Sequence, residues 1–486
     1  MRKSLYPFGF AAVSLALATS APAETLREAL AKAYQSNPTL TGARAQQRAN
    51  DENVPIQRAR GLPGLDLSGS YTENLERSNA GTPVRQIGGR LDFDVPIYQG
   101  GAVKNSVRAA DARVDAGQAQ LRDTEASLFA NVVAAYMDVL RDEAIVGLNR
   151  NQVKVLQTNL EATRDRFEVG DLTRTDVAQS ESRLAIAQSQ TETAEAQLIT
   201  SRERYIQLVG NPPGALEPPP PLPNLPASAD GAVETALAQN PGLATAQRNA
   251  DAAKFDIGVA RATRLPRVSA IANKSYVNFL NTLPTLGVGF NQSQVAENAA
   301  AGVQLTLPLF QGGGPGAQVR QAQARSSQAL EQIIEAERGV IAQTRSAYSS
   351  WLASNAVIKS SETAVAAADL SLQGVRAENT VGNRSILDIL NAEQEFLNAQ
   401  VQLVTARRNA YVAGFSLLAA MGEAEARDLG LDGGPLYDPD TNYKRVRHKI
   451  WDWDSDPKPA PVATRTVDTP AQTPAILSNQ AVMGPK

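Results

Sequence analysis

The sequence predicts an α+β membrane protein in which four β-strands per chain join very long helices. A motif at 95–101, Val-Pro-Ile-Tyr-Gln-Gly-Gly, returns at 307–313 as Leu-Pro-Leu-Phe-Gln-Gly-Gly, a spacing of 212 residues (308 − 96). Before each copy, apolar and polar residues alternate as in a strand, and after each copy a long helical pattern follows. These observations predict an internal duplication of one strand-and-helix unit.

The same spacing continues through the later part of each half. Pairs that it relates are Tyr136 with Tyr348, Gly170 with Gly382, Asp176 with Asp388, Glu181 with Glu393, and Gly210 with Gly422. Earlier in each half the spacing is 203, so the nine extra residues of the second half are placed in a loop at about 280–294. We expect structural repeats at 24–210 and 227–422, joined by a stiff proline-rich linker at 211–226.

The first 23 residues have the pattern of a secretory signal peptide. Arg2-Lys3 is followed by an apolar run and by Ala21-Pro22-Ala23, a cleavage site of the A-x-A type. The chain has no cysteine, which excludes disulfides, thiolate metal sites and an acylated N-terminal cysteine. The net charge of −3 gives no strong field to attract nucleic acid. We therefore expect an exported protein without a nucleic-acid partner.

Each half contains one predicted hairpin, at 64–97 and at 267–309. In the first, Leu65, Leu67 and Tyr71 alternate with polar residues, and in the second Val303 and Leu305 do the same. Strands of about ten residues with charge on one side have the length needed to cross a bilayer at a tilt. The alternative is a soluble sandwich, in which the apolar face would pack against a second sheet.

Four strands cannot close a barrel, so the chain is expected to oligomerise. An open sheet edge in lipid leaves backbone groups without partners. Eight strands would leave an interior filled by side chains, whereas twelve would leave a passage, so a pore favours a trimer. The strand-to-helix joints are assigned to residues that end strands and permit unusual backbone angles: Pro96, Gly100, Gly101, Pro308, Gly312 and Gly313.

The helix after Gly101 is expected to continue to about Glu168, a length of roughly 100 Å. A seven-residue stripe runs along it and predicts left-handed supercoiling around a packed core, without a ligand. Its members are Val132, Val139, Val146, Val153, Leu160 and Phe167. The helix should end in a tip near 169–176, with Thr175 or Asp176 starting the returning helix, and the second half should have its tip near 381–388.

The remaining sequence gives no sign of an enzyme. Gly312-Gly313-Gly314 lacks the Gly-Lys-Ser/Thr ending of a phosphate loop, and the single histidine, His448, has no acid-base constellation around it. We expect no cofactor and no metal. Residues 423–455 are predicted to form a C-terminal extension in which Trp451 and Trp453 pack against the body. The composition from Asp456 to the end predicts disorder.

The chain contains two copies of one ordered pattern: helix, hairpin, Pro-x-x-Gln-Gly-Gly, long helix, Val-Gly tip and returning helix. Over residues 24 to 422 this pattern resembles the TolC family of outer-membrane efflux proteins. The resemblance implies a homotrimer with a twelve-stranded transmembrane β-barrel in the outer membrane and a long α-helical, coiled-coil barrel in the periplasm of a Gram-negative cell. Such a protein is an exit duct without catalysis of its own. A periplasmic adaptor, or membrane fusion protein, joins it to an inner-membrane transporter of the ABC or RND type.

The resemblance also implies roles for residues at the tips, where hydrogen bonds and ion pairs close the periplasmic aperture. Arg384 and Asp388 match the family's second-half arginine and first aspartate, and Asp176 matches the first-half acceptor. Asn379 stands where a latch tyrosine is often found, and Asn391 where a second aspartate ring would lie. One ring of three carboxylates from Asp388 is therefore expected, with weaker closure than in the two-ring pattern.

The tips are the expected docking points for the adaptor. The family's Val-Gly-Leu signature is altered here, and the residues are Val169, Gly170 and Asp171 in the first half and Val381, Gly382 and Asn383 in the second. The cargo implied by the family ranges from drugs to unfolded secreted polypeptides. The alternative interpretation is a periplasmic coiled-coil adaptor or scaffold, which does not explain two bilayer-length hairpins with charge on one side.

Overall fold

A computed structural model describes residues 23–76, 82–283, 293–431 and 436–477. Most of the predicted signal peptide and parts of both predicted hairpin loops lie outside these ranges. The helices in the described chain are α1 (Leu26–Ser36), α2 (Pro38–Asp51), α3 (Asn53–Ala59), α4 (Ala102–Glu168), α5 (Arg174–Val209), α6 (Ala229–Gln239), α7 (Pro241–Ala262), α8 (Gly314–Thr380), α9 (Ile386–Met421) and α10 (Pro439–Val446). The strands are β1 (Gly64–Glu73), β2 (Arg85–Gln99), β3 (Arg267–Asn278) and β4 (Val295–Thr306).

The long helices have matched lengths in the two halves. Helices α4 and α8 each contain 67 residues, and α5 and α9 each contain 36. Gly101 and Gly313 are the N-caps of the two longest helices, both with φ of +81°, a conformation that glycine adopts without a Cβ clash. A Cβ on Gly100 would lie 2.7 Å from the Cβ of Leu265. Both joints therefore require glycine for the backbone angle, and at Gly100 the space requires it as well.

The four strands form one antiparallel sheet in the order β1-β2-β3-β4. The central pair, β2 with β3, joins the two halves, and its register shifts between Pro96 and Tyr98. Proline has no N–H to donate to the ladder, which accounts for an irregularity at this joint. Strands β1 and β4 lie at the edges. Apolar residues on these edge strands, including Leu67 and Val303, are exposed within the single chain.

The main core forms around α4, where α1, α5, α9 and the C-terminal extension pack against it. The stripe residues Val132, Val139 and Val146 are completely buried, as a packed core requires. Tyr136 donates hydrogen bonds from its hydroxyl to the carbonyl oxygens of Glu24 (2.8 Å) and Glu217 (2.6 Å), and burial raises its pKa. The stripe does not stay buried to its end, because Phe167 is exposed near the tip.

One expectation for the C-terminal region is wrong. Trp451 and Trp453 do not pack against the body: 73% and 87% of their surfaces are exposed. The segment from Asp456, for which the composition predicts disorder, has no helix or strand in its described residues, and its residues 472–475 are hydrogen-bonded to the first half. Arg202, which is buried, donates to the carbonyl oxygens of Thr473 and Ala475. Composition does not predict this contact, because the contact depends on the position of Arg202, which is distant in the chain.

Among the described residues, no helix combines the length and apolar character needed to cross a membrane.

Candidate gate and docking tips

Each long helix ends in a glycine turn, which the local sequence explains. Gly170 has φ of +83° and Gly382 has φ of +79°, so both reverse the chain in the left-handed region. The turns are closed by backbone hydrogen bonds from Asp171 to the carbonyl oxygen of Arg166 (2.8 Å) and from Asn383 to that of Glu378 (3.0 Å). These bonds occupy carbonyls at the helix ends that have no partner within the helix.

The returning helices begin with matched capping boxes. The carboxylate of Asp176 accepts hydrogen bonds from the backbone N–H (2.8 Å) and the hydroxyl (2.7 Å) of Thr173, and Asp388 accepts the same pair from Ser385 at 2.9 and 2.8 Å. Helix α5 therefore starts at Arg174, one residue before the predicted Thr175. Hydrogen bonds donated by the hydroxyl and, to a smaller extent, by the backbone N–H lower the pKa of both aspartates.

One ion pair ties each tip, and the two pairs have opposite polarity. In the first tip Arg166, near the helix end, reaches forward to Asp171 in the turn (2.8 Å). In the second tip Glu378 accepts from Arg384 at 2.7 Å, and this contact raises the pKa of the arginine. Asn379 also binds within its own tip, donating to the carbonyl oxygen of Arg384 (2.8 Å). The two turns thus carry ion pairs of exchanged charge, which span five residues in the first tip and six in the second.

The residues assigned to adaptor docking project from these turns. Val169 and Val381 are exposed, although both are apolar. A Cβ added at Gly170 or Gly382 would meet no atom within 4 Å, so open space surrounds the glycines. Each tip therefore presents an exposed valine beside an uncovered turn.

Near the tips, polar side chains join the two helical hairpins. Arg183 on α5 donates to the side-chain oxygen of Asn391 on α9 (2.7 Å). Glu393, only 2% exposed, accepts from Asn159 on α4 (2.9 Å) and pairs with Arg376 on α8 (3.1 Å). Glu393 thus joins three helices from both halves.

The structure brings together only part of the predicted gate. Within the protomer, Asp176 binds Thr173 and Arg384 binds Glu378, while Asn391 alone of the predicted residues contacts the other hairpin. The joints, including Pro96 and Pro308, lie at the opposite ends of the 67-residue helices.

Sequence reasoning assigned no gate role to Arg183, Asn159, Arg376 or Glu393. One signal was available. The pair of Arg376 with Glu393 repeats an exposed pair in the first half, Arg164 with Glu181 (2.6 Å), at the same 212-residue spacing.

Comparisons with known proteins match nearly the whole chain. A family profile described as "Outer membrane efflux protein" matches residues 29–211 and 232–423. The chain is 33% identical to outer membrane efflux protein BepC of Brucella suis over 88% of this chain and 92% of that protein. It is 27% identical to outer membrane protein TolC of Escherichia coli, covering 91% and 93%. The solved CmeC outer membrane channel of Campylobacter jejuni superposes with a TM-score of 0.72 at 17% identity, covering 87% and 89%.

Proposed function

The chain belongs to the outer membrane efflux protein family, and from that premise we propose that it is the gated exit duct of a tripartite efflux or type I secretion system. The duct is passive: cargo moves through a water-filled route, and the inner-membrane partner supplies the energy. The observation that carries this proposal is the one open sheet joined to four long helices in each protomer.

A homotrimer with a twelve-stranded barrel follows from the open sheet. Strands β1 and β4 are edges, and an unpaired edge in hydrocarbon costs several kcal/mol for each backbone group left without a partner. Three sheets of four strands would close with a passage inside. Exposed apolar residues on the sheet, such as Leu67 and Leu305, would then face lipid.

The helices would form the periplasmic part of the duct. A 67-residue helix spans roughly 100 Å at 1.5 Å per residue. Helix α8 exposes large apolar side chains within the protomer, including Leu330, Ile334 and Leu352. A neighbouring copy packed against this helix would remove them from water, which favours a closed ring of helices over a single chain in solution.

We place the internal duplication at 24–210 and 227–422, with a linker at 211–226 and a C-terminal extension at 423–455. The two segments of the family match and the equal lengths of the paired helices support this division. After removal of the signal peptide, the protein would sit in the outer membrane and project into the periplasm.

Partners would meet the duct at its tips. The exposed Val169 and Val381 turns suit docking by a periplasmic adaptor that also binds an inner-membrane pump of the ABC or RND type. In the closed state, Asp388 would contribute a ring of three carboxylates. Asn391, which replaces a second ring, accepts a hydrogen bond from Arg183 and so ties one hairpin to the other.

Planar-bilayer recording of the purified full-length protein tests the function and its gate. We expect discrete conductance steps, and a larger step in Arg384→Ser, because the substitution removes the tie that holds the second tip in its turn. Arg345→Ser is the matched control, since Arg345 is an exposed arginine far from the tip. A current unchanged by Arg384→Ser would reject the latch role.

Outer-membrane fractionation and heat-modifiable gel migration separate the duct from the periplasmic scaffold. A monomer that stays in water without detergent and gives no conductance would overturn the proposed function.

A further inference from the structure

The C-terminal extension holds a fixed position near the start of α4. On α10, Tyr443 donates to Asp111 (2.8 Å), and just before it along the helix Asn442 donates to Asp51 (2.7 Å). Val446 is completely buried at the end of this short helix. Asp111 lies nine residues into α4, so this docking site is within about 14 Å of the strand-to-helix joint. The extension is thereby held at the end of the helices nearest the sheet.

From α10 the chain continues toward the sheet. Arg58, near the end of α3, donates to the carbonyl oxygen of Arg447 (3.3 Å). Residues 449–452 and 454–456 then line one surface cleft together with Leu62, Pro63 and Gly64, the first residue of β1. The turn at 449–456 is therefore level with the helix-side end of the sheet.

This turn is amphipathic. Three of its charged residues form ion pairs: Lys449 pairs with Asp454, and Asp456 pairs with Arg445 of α10. Three large apolar or aromatic side chains are instead left outside: Ile450 is 71% exposed, and Trp451 and Trp453 are exposed still further. Leaving such side chains in water forgoes roughly 1.5–3 kcal/mol for each that could be buried. An apolar environment that covered them would recover this free energy.

Other aromatic residues are exposed at the same level. Tyr98 at the end of the interior strand β2 and Phe310 in the joint after β4 both lie at the helix-side end of the sheet and are exposed. The exposed residues thus extend from the β1 flank to the β4 flank. In the proposed trimer, neighbouring copies would pair with the edge strands β1 and β4 and leave Tyr98 on the interior strand β2 uncovered, whereas a lipid leaflet would cover the whole level. Tryptophan and tyrosine are the residues enriched where hydrocarbon meets polar headgroups.

We propose that Ile450, Trp451 and Trp453 form a membrane anchor inserted at the headgroup level of the periplasmic leaflet. The partner is the phospholipid surface itself. This inference rests on the proposed function, because the sheet must span the bilayer for the turn to reach the leaflet. It adds a second attachment of each protomer to the membrane, made by the C-terminal extension and separate from the strands.

Tryptophan fluorescence in proteoliposomes tests the anchor, because the chain has three tryptophans. Trp351 is the internal reference, since it lies on α8 against Tyr348 in a small core. In full-length Trp351→Phe, phospholipids brominated near the headgroup should reduce emission by about twofold, as expected for interfacial tryptophan, and deep bromination should reduce it less. The double variant Trp451→Phe, Trp453→Phe, which retains Trp351, should show little quenching by either lipid.

Conductance of the same vesicles distinguishes failure of the anchor from failure of the proposed function. Conducting vesicles without headgroup-level quenching would overturn the anchor and leave the duct intact. Quenching of Trp351→Phe by aqueous acrylamide alone would place the turn in water, and protection from both quenchers would assign its cover to a neighbouring copy. Each of these results rejects the lipid anchor. Failure to insert or conduct at all would reject the proposed function and the anchor with it.

Discussion

The two long helical hairpins have equal lengths and unequal burial. Helix α4 buries 25 of its 67 residues within the protomer, whereas α8, also of 67 residues, buries seven. Helices α1 and α5 and the C-terminal extension pack against α4, and Arg202 on α5 donates a hydrogen bond to the carbonyl oxygen of Ala475. The apolar side chains of α8 receive fewer partners and several stay exposed.

The difference separates what a protomer completes alone from what assembly would complete. Helix α4 has its core inside one chain, which α9 of the second hairpin helps to form, so its stability belongs to folding of the protomer. The second hairpin leaves apolar surface that only another surface can bury. The same period of apolar residues thus serves intramolecular packing in one half and, on the trimer proposed above, intersubunit packing in the other.

The largest expected effect tests the difference between the hairpins at two leucines that occupy corresponding positions. Leu140 on α4 is 5% exposed, and Leu352, at the corresponding position on α8, is 47% exposed. Leu140→Ala should lower the free energy of unfolding by about 2–5 kcal/mol, because it removes buried methyl groups and leaves a cavity. Urea unfolding in detergent, followed by circular dichroism, measures the change.

Leu352→Ala is the control for that measurement. It should change unfolding of the protomer by no more than about 0.5 kcal/mol, as for an exposed site, and lower the temperature at which the trimer dissociates on gels. Equal losses of protomer stability in the two variants would contradict the division between the hairpins.

A smaller effect is expected at the duplicated ion pairs. Glu393→Ala leaves Asn159 and Arg376 without their shared acceptor in a buried junction, so the helices should open more easily by about 1–3 kcal/mol. Glu181→Ala removes only an exposed pair with Arg164 and should cost under about 1 kcal/mol. Amide hydrogen exchange along α4 near Asn159 measures both. Similar exchange in the two variants would show that Glu393 is no junction between hairpins.

The smallest effect concerns pH at the tips, where the halves are alike. The pKa of Asp388 lies below its ordinary 3.8 because Ser385 donates to the carboxylate. The cap that this carboxylate makes is therefore fully present above the ordinary value and is lost only as pH falls through the lowered one. We expect cation selectivity in bilayers to persist through pH 4, with Ser385→Ala moving its loss to higher pH.

Thr173→Ala is the counterpart in the first tip, where donation from Thr173 likewise lowers the pKa of Asp176. Since the proposed ring consists of Asp388, this variant should leave the selectivity midpoint where it is. A native midpoint at the ordinary carboxyl value would argue that the capping bonds open in the membrane.

Local sequence was sufficient for much of the fold. Glycine at 101 and at 313 marks the starts of the longest helices, and glycine at 170 and 382 marks their ends, because these angles suit no other residue as well. The TolC-like fold, mostly helical with a small antiparallel sheet, is confirmed by the structural comparison. The resemblance implies an aperture role for Asp176 and Asp388 and does not indicate the capping boxes that they complete.

The remaining site could not be found from a single stretch of sequence. Glu393 and Glu181 occupy equivalent positions, and nothing adjacent to either one says that only Glu393 will be buried against Asn159. The tail after Asp456 has a composition typical of disorder, yet its carbonyl oxygens bind Arg202. Trp451 and Trp453 were expected inside because they are apolar, whereas the turn that holds them faces away from the body.

The sequence by itself determined the glycine positions at which the long helices begin and end, the repeat of 212 residues and the charges that each tip carries. Backbone preference and apolar period act over a few neighbouring residues, so they can be read without a partner. Only the tertiary structure decided which of two equal hairpins has a complete core, which glutamate joins the halves and where the C-terminal turn is placed. Burial depends on the element that lies opposite, and that element is distant in the chain.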